Sequence, residues 1–451
     1  MKRALTAALA VGLLFTTACA GGGSGSSNEG STTPESIYFL NFKPEVAEVY
    51  EKIAADYKAE TGTEVKVVTA ASGTYEQTLA SEIAKSDPPT IFQINGPIGY
   101  SNWKDYTADL TSSKLYEALK DKSMAISGDD GGIYGIPYVV EGYGIIYNDA
   151  IMSKYFALSD KKATISKTED IKDFATLKTV VEDMQSHADD LGIKGVFSNT
   201  SLKPGEDWRW QTHLADVPFY HEFKDAGELN ASKVDTVQFT YNEQFKNLFD
   251  LYLNNSTTDK AQLGSKTVDE SMAEFALGQS AMVQNGNWGW NQVNGNKGNT
   301  VKADDVKFLP LYMGFPDEAS QGLCIGTENY FAINKEVSEA KQQASLDFLY
   351  WLFSSDKGKK YVTDELGFIA PFTTFTSTEV PSGDPLAKEV SAWMEKPGVT
   401  SVPWVFQLFP SQNFKDEFGG ALLQYAQGKE QWPQVVSDVV DTWKTEAAAA
   451  Q

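Results

Sequence analysis

The sequence predicts an α/β fold with mostly parallel sheets flanked by helices, divided between two or more domains. Short apolar segments of strand length alternate along the chain with segments whose apolar residues recur every three or four positions. This alternation is typical of strands connected by amphipathic helices, and it favours parallel sheets with covered faces. The second observation is length, because about 417 residues follow Pro34, more than one ordinary hydrophobic core accommodates.

The first structured segment shows this alternation. Val49 and Ile53 lie on one face of a predicted helix, and Gly62 follows as a stop signal. Thr74 and Gln77 have the spacing of a capping box, which predicts the start of a second helix. Strands are predicted before, between and after these helices, at residues 36–40, 65–69 and 90–94.

The alternation continues towards the end of the chain, and no short repeat is visible. Further strands are predicted at residues 133–137, 144–147, 192–197, 281–284, 306–311 and 328–334. Further helices are predicted at residues 171–184, 239–253, 272–276, 338–353 and 435–443.

The N-terminus has the pattern of an export signal. Lys2 and Arg3 give a charged start, and residues 4–15 form an apolar run, shorter than the roughly 20 residues of a membrane-spanning helix. Small residues and then Cys19 follow, which resembles a bacterial lipobox, where the chain is cut before a cysteine that carries a diacylglycerol. Residues 1–18 are therefore predicted to be a signal peptide, with an ordinary, non-lipidated signal as the alternative.

The segment after the cleavage site supports a lipid anchor. Residues 21–34 read GGGSGSSNEGSTTP and contain no apolar side chain, so residues 19–35 are predicted to be a lipidated cysteine and a flexible tether. Such a tether has a mechanical purpose if its start is held at a membrane, and two acyl chains on one cysteine anchor stably. The expected location is the extracytoplasmic face of the cell membrane.

Charge and rare residues exclude several classes of function. The net charge of −23 argues against nucleic acid or anionic lipid as the main partner. With Cys19 acylated, Cys324 has no partner for a disulfide. The three histidines lie in unlike contexts without metal-ligand spacing, and the chain lacks nucleotide-binding loops and nucleophile elbows. No catalytic residue, metal or cofactor is predicted.

Four segments carry most of the information about function. They read LNFKPE at 40–45, IFQINGP at 91–97, GIYGIPYVVE at 132–141 continuing to IIYN at 145–148, and FALGQSAMVQNGNW at 275–288. In order and spacing they resemble the maltose-binding-protein type of carbohydrate solute-binding protein. In that family the Gly-x-Trp that closes the fourth segment sets an aromatic ring against the sugar.

The resemblance implies a periplasmic-binding-protein-like fold, in which crossing segments join two α/β lobes and the ligand lies between them. The first lobe is expected at residues 36–141 and 310–355, and the second at 146–306 and 356–451. The implied function is capture of an oligosaccharide, closure of the lobes on it, and delivery to the membrane subunits of an ABC importer. The protein is expected to be a monomer and not an enzyme.

The predicted site combines aromatic and polar side chains, because a sugar ring has apolar C–H faces and a rim of hydroxyls. Tryptophans cluster along the chain, and polar residues follow predicted strand ends, where open α/β sheets place ligands. The predicted ligand-binding residues are Asn41, Lys43, Asn95, Glu141, Trp208, Arg209, Trp288, Trp290 and Trp404.

Each of these residues also has a plainer interpretation. Most tryptophans are buried in cores, and the two asparagines suit turns. Glu141 could be a surface residue at a strand end. Arg209 could pair with Glu206 or Asp207.

Three other classes of function fit parts of the sequence. A secreted glycoside hydrolase would need two carboxylates astride a bond, for which Glu141 with Glu206 or Asp207 are candidates. A binding protein for a polyamine or an iron chelate would suit the acidity, but clustered tryptophans favour sugar. An adhesin would explain the tether and not the four segments. Several aromatic clusters favour an oligosaccharide over a monosaccharide.

The lipid anchor leads to a test. Cys19→Ala should move the protein from washed membranes to the medium, because the thiol that accepts the lipid is gone. Immunoblots of the two fractions measure this, and Cys324→Ala, which alters the other cysteine of the chain, should leave the protein on the membrane. Unchanged membrane retention of Cys19→Ala would contradict the lipoprotein prediction.

Overall fold

The computed structural model describes residues 35–449, except 72, 230, 232, 328, 377, 378 and 380. The predicted signal peptide, Cys19 and almost all of the tether lie outside the described residues. None of the helices within the described part of the chain is long and apolar enough to cross a membrane.

The strands of the described residues form two sheets. The first has the order β2-β1-β3-β11-β5-β4 and the second the order β12-β10-β6-β8-β7, with β9 also paired to β6. In chain order the strands are β1 (Ile37–Asn41), β2 (Val65–Thr69), β3 (Ile91–Asn95), β4 (Ile126–Ser127), β5 (Ile133–Pro137), β6 (Glu141–Asn148), β7 (Gly195–Phe197), β8 (Ser280–Gly286), β9 (Val306–Leu309), β10 (Gln321–Gly326), β11 (Asn329–Ile333) and β12 (Thr400–Pro403).

Helices flank both sheets. Two short segments, Arg209–Leu214 and Tyr361–Glu365, have the wider turns of a π-helix. In chain order the α-helices are α1 (Ala47–Thr61), α2 (Tyr75–Ile83), α3 (Gly96–Trp103), α4 (Lys114–Glu117), α5 (Asp149–Phe156), α6 (Phe174–Ser186), α7 (Ala188–Leu191), α8 (Ala215–Ala226), α9 (Asn242–Asn254), α10 (Val268–Ala276), α11 (Trp290–Asn294), α12 (Glu339–Ser354), α13 (Asp356–Lys360), α14 (Pro385–Met394), α15 (Gln412–Ala426) and α16 (Trp432–Ala449).

The sheets are mixed, which corrects the prediction that they are mostly parallel. In the first sheet β1 pairs in parallel with β2 and β3, but β11 runs antiparallel to β3 and β5. In the second sheet β6 runs antiparallel to β8, β9 and β10. The antiparallel pairs arise because β6 and β11 are entered directly from the other sheet and not through a crossover helix.

The chain passes from one sheet to the other between β5 and β6, between β10 and β11, and between Phe375 and Leu386. We call residues 35–140 and 329–375 the first region, and residues 141–326 and 385–449 the second region. Each region has its own hydrophobic core, built on its own sheet.

The observed return to the first sheet lies later than the expected boundary near residue 310. Strands β9 and β10 pair with β6, so the chain returns only at β11. Val362 and Phe372, expected in the second lobe, pack in the same core as Phe39 of β1. They do so because the segment after α12 folds back against this helix, which itself lies on the first sheet. The division of the chain into two lobes that act as domains stays a prediction.

Local sequence signals predicted most helices and strands, but the capping box predicted at Thr74 was wrong. Helix α2 begins at Tyr75 as expected, yet the Thr74 hydroxyl donates to the carbonyl of Ala71 at 2.9 Å and does not cap the helix. A complete capping box occurs instead at Thr267 and Glu270, at the start of α10.

A buried carboxyl group connects α8 to the loop after β12. Asp216 Oδ1 accepts hydrogen bonds from the backbone N–H groups of Val405 at 2.7 Å and Phe406 at 3.1 Å. Burial raises the pKa of Asp216 to about 8, although these two bonds favour the ionised form. Asp216 thereby fixes the segment that carries Trp404.

This pKa predicts how stability depends on pH. Between about pH 4 and about pH 8 the folded protein holds a proton on Asp216 that the unfolded chain has released, so the free energy of unfolding falls as pH rises. Asp216→Asn keeps an accepting oxygen but cannot ionise. From about pH 5 to about pH 8, the wild type should therefore lose about 2 to 4 kcal/mol relative to Asp216→Asn. Urea titrations measure the difference, and a difference that is constant with pH would contradict the assignment.

Candidate functional site

A buried ion pair joins the two regions. Lys43 lies in the loop after β1, and its ammonium is 2.7 Å from the carboxylate of Glu141 at the start of β6. The two side chains are 6% and 3% exposed, respectively. Glu45 lies 3.7 Å from the same ammonium, and burial raises the pKa of the Glu45 carboxyl. Two predicted site residues, Lys43 and Glu141, are therefore in contact.

Asn41 supports this ion pair from within the first sheet. Its side chain accepts from the backbone N–H of Lys43 at 3.0 Å and donates to the Lys43 carbonyl at 2.8 Å and to Thr69 Oγ1 at 3.1 Å. Asn41 is fully buried, so its observed role is to hold the Lys43 loop. Asn95 is the last residue of β3, at the same edge of the sheet, and is half-buried.

Trp208 and Arg209 lie in the second region, at the start of a short helical turn that leads into α8. The guanidinium carbon of Arg209 lies 3.4 Å from the centre of the Trp208 ring, a cation–π arrangement. Nε and Nη2 of Arg209 donate to Asn285 Oδ1 at 3.2 and 3.1 Å. Burial lowers the pKa of Arg209 to about 9. The expected alternative, a pair with Glu206 or Asp207, is not among the hydrogen bonds of this guanidinium.

A local departure from α-helical geometry orients these side chains. The π-helical turn Arg209–Leu214 leads directly into α8, which contains Pro218. Proline has no backbone N–H and crowds the carbonyl four residues earlier, here that of Leu214, so regular α-helical bonding is interrupted at this point. The turn places Arg209 and His213 in the same buried site. Burial lowers the pKa of His213 well below its usual range, which keeps the imidazole neutral.

Six aromatic side chains of the second region form one cluster, which we call the aromatic cluster. The Trp288 ring lies 6.1 Å from Trp208 and 6.5 Å from Trp404, and His213 stacks on Tyr143 at 4.2 Å. Three of the predicted tryptophans are therefore brought together by residues distant in sequence. The members are Tyr143, Trp208, His213, Trp288, Trp404 and Phe406.

Several donors at this cluster are buried without a hydrogen-bond partner among the described residues. They include the indole N–H groups of Trp288 and Trp404 and Nη1 of Arg209. Most buried donors in folded proteins are hydrogen-bonded, and leaving one unpaired costs about 1–3 kcal/mol. These donors would pair with acceptors supplied from outside the chain, by water or by a ligand.

Two glycines make room for the tryptophan rings. A Cβ atom on Gly286 would lie 2.2 Å from the Trp288 ring, and one on Gly326 would lie 2.6 Å from Cγ of Trp404. Both distances are far below van der Waals contact. The Gly-x-Trp spacing of the fourth segment therefore has a steric cause, because the ring folds back over the bare backbone of β8.

Trp290 does not belong to the aromatic cluster. It is 5% exposed and packs on the opposite side of β8, with Met272, Val293 and other residues of α10 and α11. This placement supports the plainer interpretation of Trp290 as a core residue.

A small cavity lies between the regions beside the ion pair. Its lining includes Glu45, Glu141, Asn287, Trp288 and Asp384. The Asp384 carboxylate accepts two backbone N–H groups at the start of α14, and burial raises its pKa to about 7. A larger cavity between α15 and α16 lies within the second region, away from this interface.

Sequence reasoning missed several residues of the site. Asn285 holds Arg209, and Asn287 Oδ1 accepts from the backbone N–H of Gly142 at 2.9 Å, beside Glu141. Both asparagines flank Gly286 in the fourth segment, so the motif itself contained the signal. His213 and Tyr143 carried no comparable local signal.

Two of the three carboxyl groups named in the hydrolase hypothesis, Glu141 and Glu206, are engaged in polar contacts. Glu141 pairs with Lys43, and Glu206 accepts from Lys203 Nζ at 2.7 Å and from the backbone N–H of Val268 at 2.9 Å. Burial raises the pKa of Asp207 to about 7, and this carboxyl packs against the backbone of α15. The described residues contain no group of three or more histidine, cysteine or carboxylate side chains placed to hold a metal ion.

Solved structures share this fold. A chitin oligosaccharide binding protein superposes with a TM-score of 0.70 at 17% identity, covering 92% of this chain and 99% of that protein. RafE in complex with raffinose gives 0.68 at 15% identity, covering 92% and 100%. Maltose-bound MalE3 of T. maritima gives 0.66 at 17% identity, covering 91% and 99%. These similarities confirm the predicted two-lobed, periplasmic-binding-protein-like fold class.

Sequence comparison identifies the family. No curated protein sequence matches the chain. Residues 52–389, well over half of the chain, match the family model of the bacterial extracellular solute-binding proteins. The chain belongs to this family of bacterial extracellular solute-binding proteins.

Proposed function

We propose that the protein binds a neutral oligosaccharide between the first and second regions and delivers it to an ABC importer, without chemical change to the ligand. The observation that carries this proposal is the set of unpaired buried donors on Trp288, Trp404 and Arg209 beside the faces of the aromatic cluster. A sugar supplies both matching features, because its hydroxyls accept hydrogen bonds and its C–H faces pack on aromatic rings.

The balance of charge at the interface favours a neutral ligand. Lys43 and Arg209 carry positive charges, and Glu45 and Glu141 carry negative charges close to them. A cationic ligand such as a polyamine would need unpaired carboxylates, and Glu141 is paired. Asp384, the third carboxyl group at this cavity, has a pKa raised to about 7 by burial, so it carries only part of a negative charge near pH 7.

The fold neighbours support a carbohydrate ligand. Their names specify chitin oligosaccharide, raffinose and maltose as the bound or recognised sugars. At 15–17% identity these neighbours do not specify which sugar this chain binds. The aromatic cluster contains three tryptophans, which suits more than one sugar unit.

The proposed transport function depends on closure of the two regions around the ligand. Lys43 and Asn95 belong to the first region, whereas Trp208 and Trp288 belong to the second, so a ligand between them contacts both. Only a ligand with different affinity for the open and closed states shifts their populations, and a bridging ligand has that property. The importer would then recognise the closed form.

The lipid anchor is part of the same proposal. A diacylated Cys19 with a glycine- and serine-rich tether would keep the protein at the extracytoplasmic face of the membrane, within reach of the importer. We take the first and second regions as the two lobes.

Isothermal titration calorimetry tests the proposed ligand class. The ligands are chitotriose, raffinose and maltotriose, with spermidine as the cationic alternative. At least one sugar should bind without being cleaved, and saturation should reduce the radius of gyration measured by solution scattering. At a hundredfold excess over the dissociation constant, bound sugar should add about 2.7 kcal/mol of stability.

Binding of spermidine alone, or cleavage of the sugar, would reject the proposal. A sugar that stabilises the protein without compaction would reject bridging.

Trp288 should be a major contributor to affinity. Stacking of an aromatic ring is worth about 1 to 3 kcal/mol, by analogy with stacking on bases, so Trp288→Ala should weaken sugar binding by about ten- to a hundredfold. The matched control is Trp351→Ala, which removes a partly exposed tryptophan on α12 in the first region, beside Glu60. Calorimetry measures both affinities, and circular dichroism confirms folding. Equal affinities of a folded Trp288→Ala and the wild type would assign Trp288 to the core.

A further inference from the structure

Two loops from the two regions meet at the exposed rim of the interface. Gly73 lies in the loop after β2, and Gly205 lies in the loop that leads to Trp208. A Cβ atom on Gly73 would be 2.6 Å from the carbonyl oxygen of Gly205. The contact is therefore between backbones, and no flexible side chain can give way.

The contact is sterically asymmetric. Gly73 and Gly205 both have left-handed backbones, with φ of +72° and +83°. A Cβ atom on Gly205, however, would meet nothing within 4 Å. Alanine at either position would have to adopt an unfavourable left-handed backbone conformation. Only alanine at position 73 would also obstruct the approach of the two regions.

Both loops are held by their own hydrogen bonds. On the first side, the backbone N–H of Thr74, the residue after Gly73, donates to the carbonyl of Ala71 at 3.1 Å. On the second side, Glu206 is fixed by its bonds to Lys203 and to the backbone of Val268. An obstruction at Gly73 would therefore separate the regions rather than deform a loop.

A second glycine makes a softer contact across the interface. A Cβ atom on Gly96, at the start of α3, would lie 3.3 Å from three atoms of the Gln407 side chain. Gln407 belongs to the segment fixed by Asp216, and its side chain, which donates to the carbonyl of Thr327, can move aside if it gives up that one bond. The two contacts therefore differ in how readily they yield.

We propose that the backbone contact between Gly73 and Gly205 is the stop that sets how far the two regions close, and that Gly73 is a positioning residue for ligand binding. The contact lies three residues before Trp208, so a wider separation at this point moves Trp208 and Arg209 away from the Lys43 side of the interface. This proposal rests on the proposed function, because it requires a ligand that contacts both regions.

The test compares Gly73→Ala, Gly96→Ala and Gly205→Ala. For the sugar that the wild type binds best among chitotriose, raffinose and maltotriose, Gly73→Ala should lower affinity by about tenfold or more, because the closed state becomes less populated. Gly96→Ala should lower it by about two- to threefold, and Gly205→Ala by less than about twofold. Melting temperatures of the free variants should agree for Gly73→Ala and Gly205→Ala, which share the backbone cost.

A measurement without sugar separates this proposal from the ligand assignment. Spin labels at Lys85→Cys in the first region and Lys260→Cys in the second, in a Cys19→Ala background, report the separation of the regions by pulsed electron paramagnetic resonance. Both positions are exposed, whereas Cys324 is buried and unreactive to the label. The wild type and Gly205→Ala should share a short-distance population that Gly73→Ala lacks.

The outcomes are distinguishable. If none of the sugars binds, the proposed function fails, and the distance distributions still decide the role of Gly73. Identical distributions in all three proteins would overturn the closure stop. Equal sugar affinities of folded Gly73→Ala and Gly205→Ala would overturn it as well.

Discussion

The buried pair of Lys43 and Glu141 is the contact on which the relation between the two regions depends. Taking both charges out of water is costly, and the attraction between them in a low dielectric offsets that cost only when the geometry is good. The 2.7 Å distance meets this condition. Loss of either partner would leave an unpaired buried charge and lower the free energy of unfolding by about 3–5 kcal/mol. The observed consequence of the pair is geometric, since it holds Lys43 of the first region against Glu141 of the second. Asn287 binds the backbone beside Glu141, which places Trp288 next to the pair.

The aromatic cluster depends on the absence of side chains as much as on their presence. Trp288 and Trp404 occupy their positions because Gly286 and Gly326 leave the backbone bare beneath the rings. Arg209 is held against Trp208 by a π-helical turn, and its guanidinium is buried with one nitrogen unpaired. A fold selected only for stability would pair or expose that group. Costs of this kind concentrate at functional sites, where a ligand offsets them.

Much of the fold was predictable because its signals are local. The strands near residues 37–41, 65–69 and 133–137 and the helices α1, α2 and α12 follow from apolar spacing and stop signals, which depend on neighbours in sequence. The four segments also predicted the cleft family and Trp288, whereas the clustering of tryptophans along the chain predicted Trp208 and Trp404. Strand direction was harder to predict, because β10 runs antiparallel to β6, and β11 antiparallel to β3 and β5, only through the crossings between sheets. Residue periodicity within one strand contains no information about such crossings.

The sequence by itself therefore determined the α/β character of the chain, the order of its elements and the family to which they belong. Only the tertiary structure decided that Trp208, Trp288 and Trp404 meet. Trp290 follows Trp288 by two residues, but it packs on the opposite side of β8 in a separate hydrophobic cluster. The tertiary structure also decided that Asn41 supports Lys43, and that Gly73 meets Gly205 across 132 positions of sequence. The physical reason is that packing, burial and steric contact depend on distances in space, which local propensities do not encode.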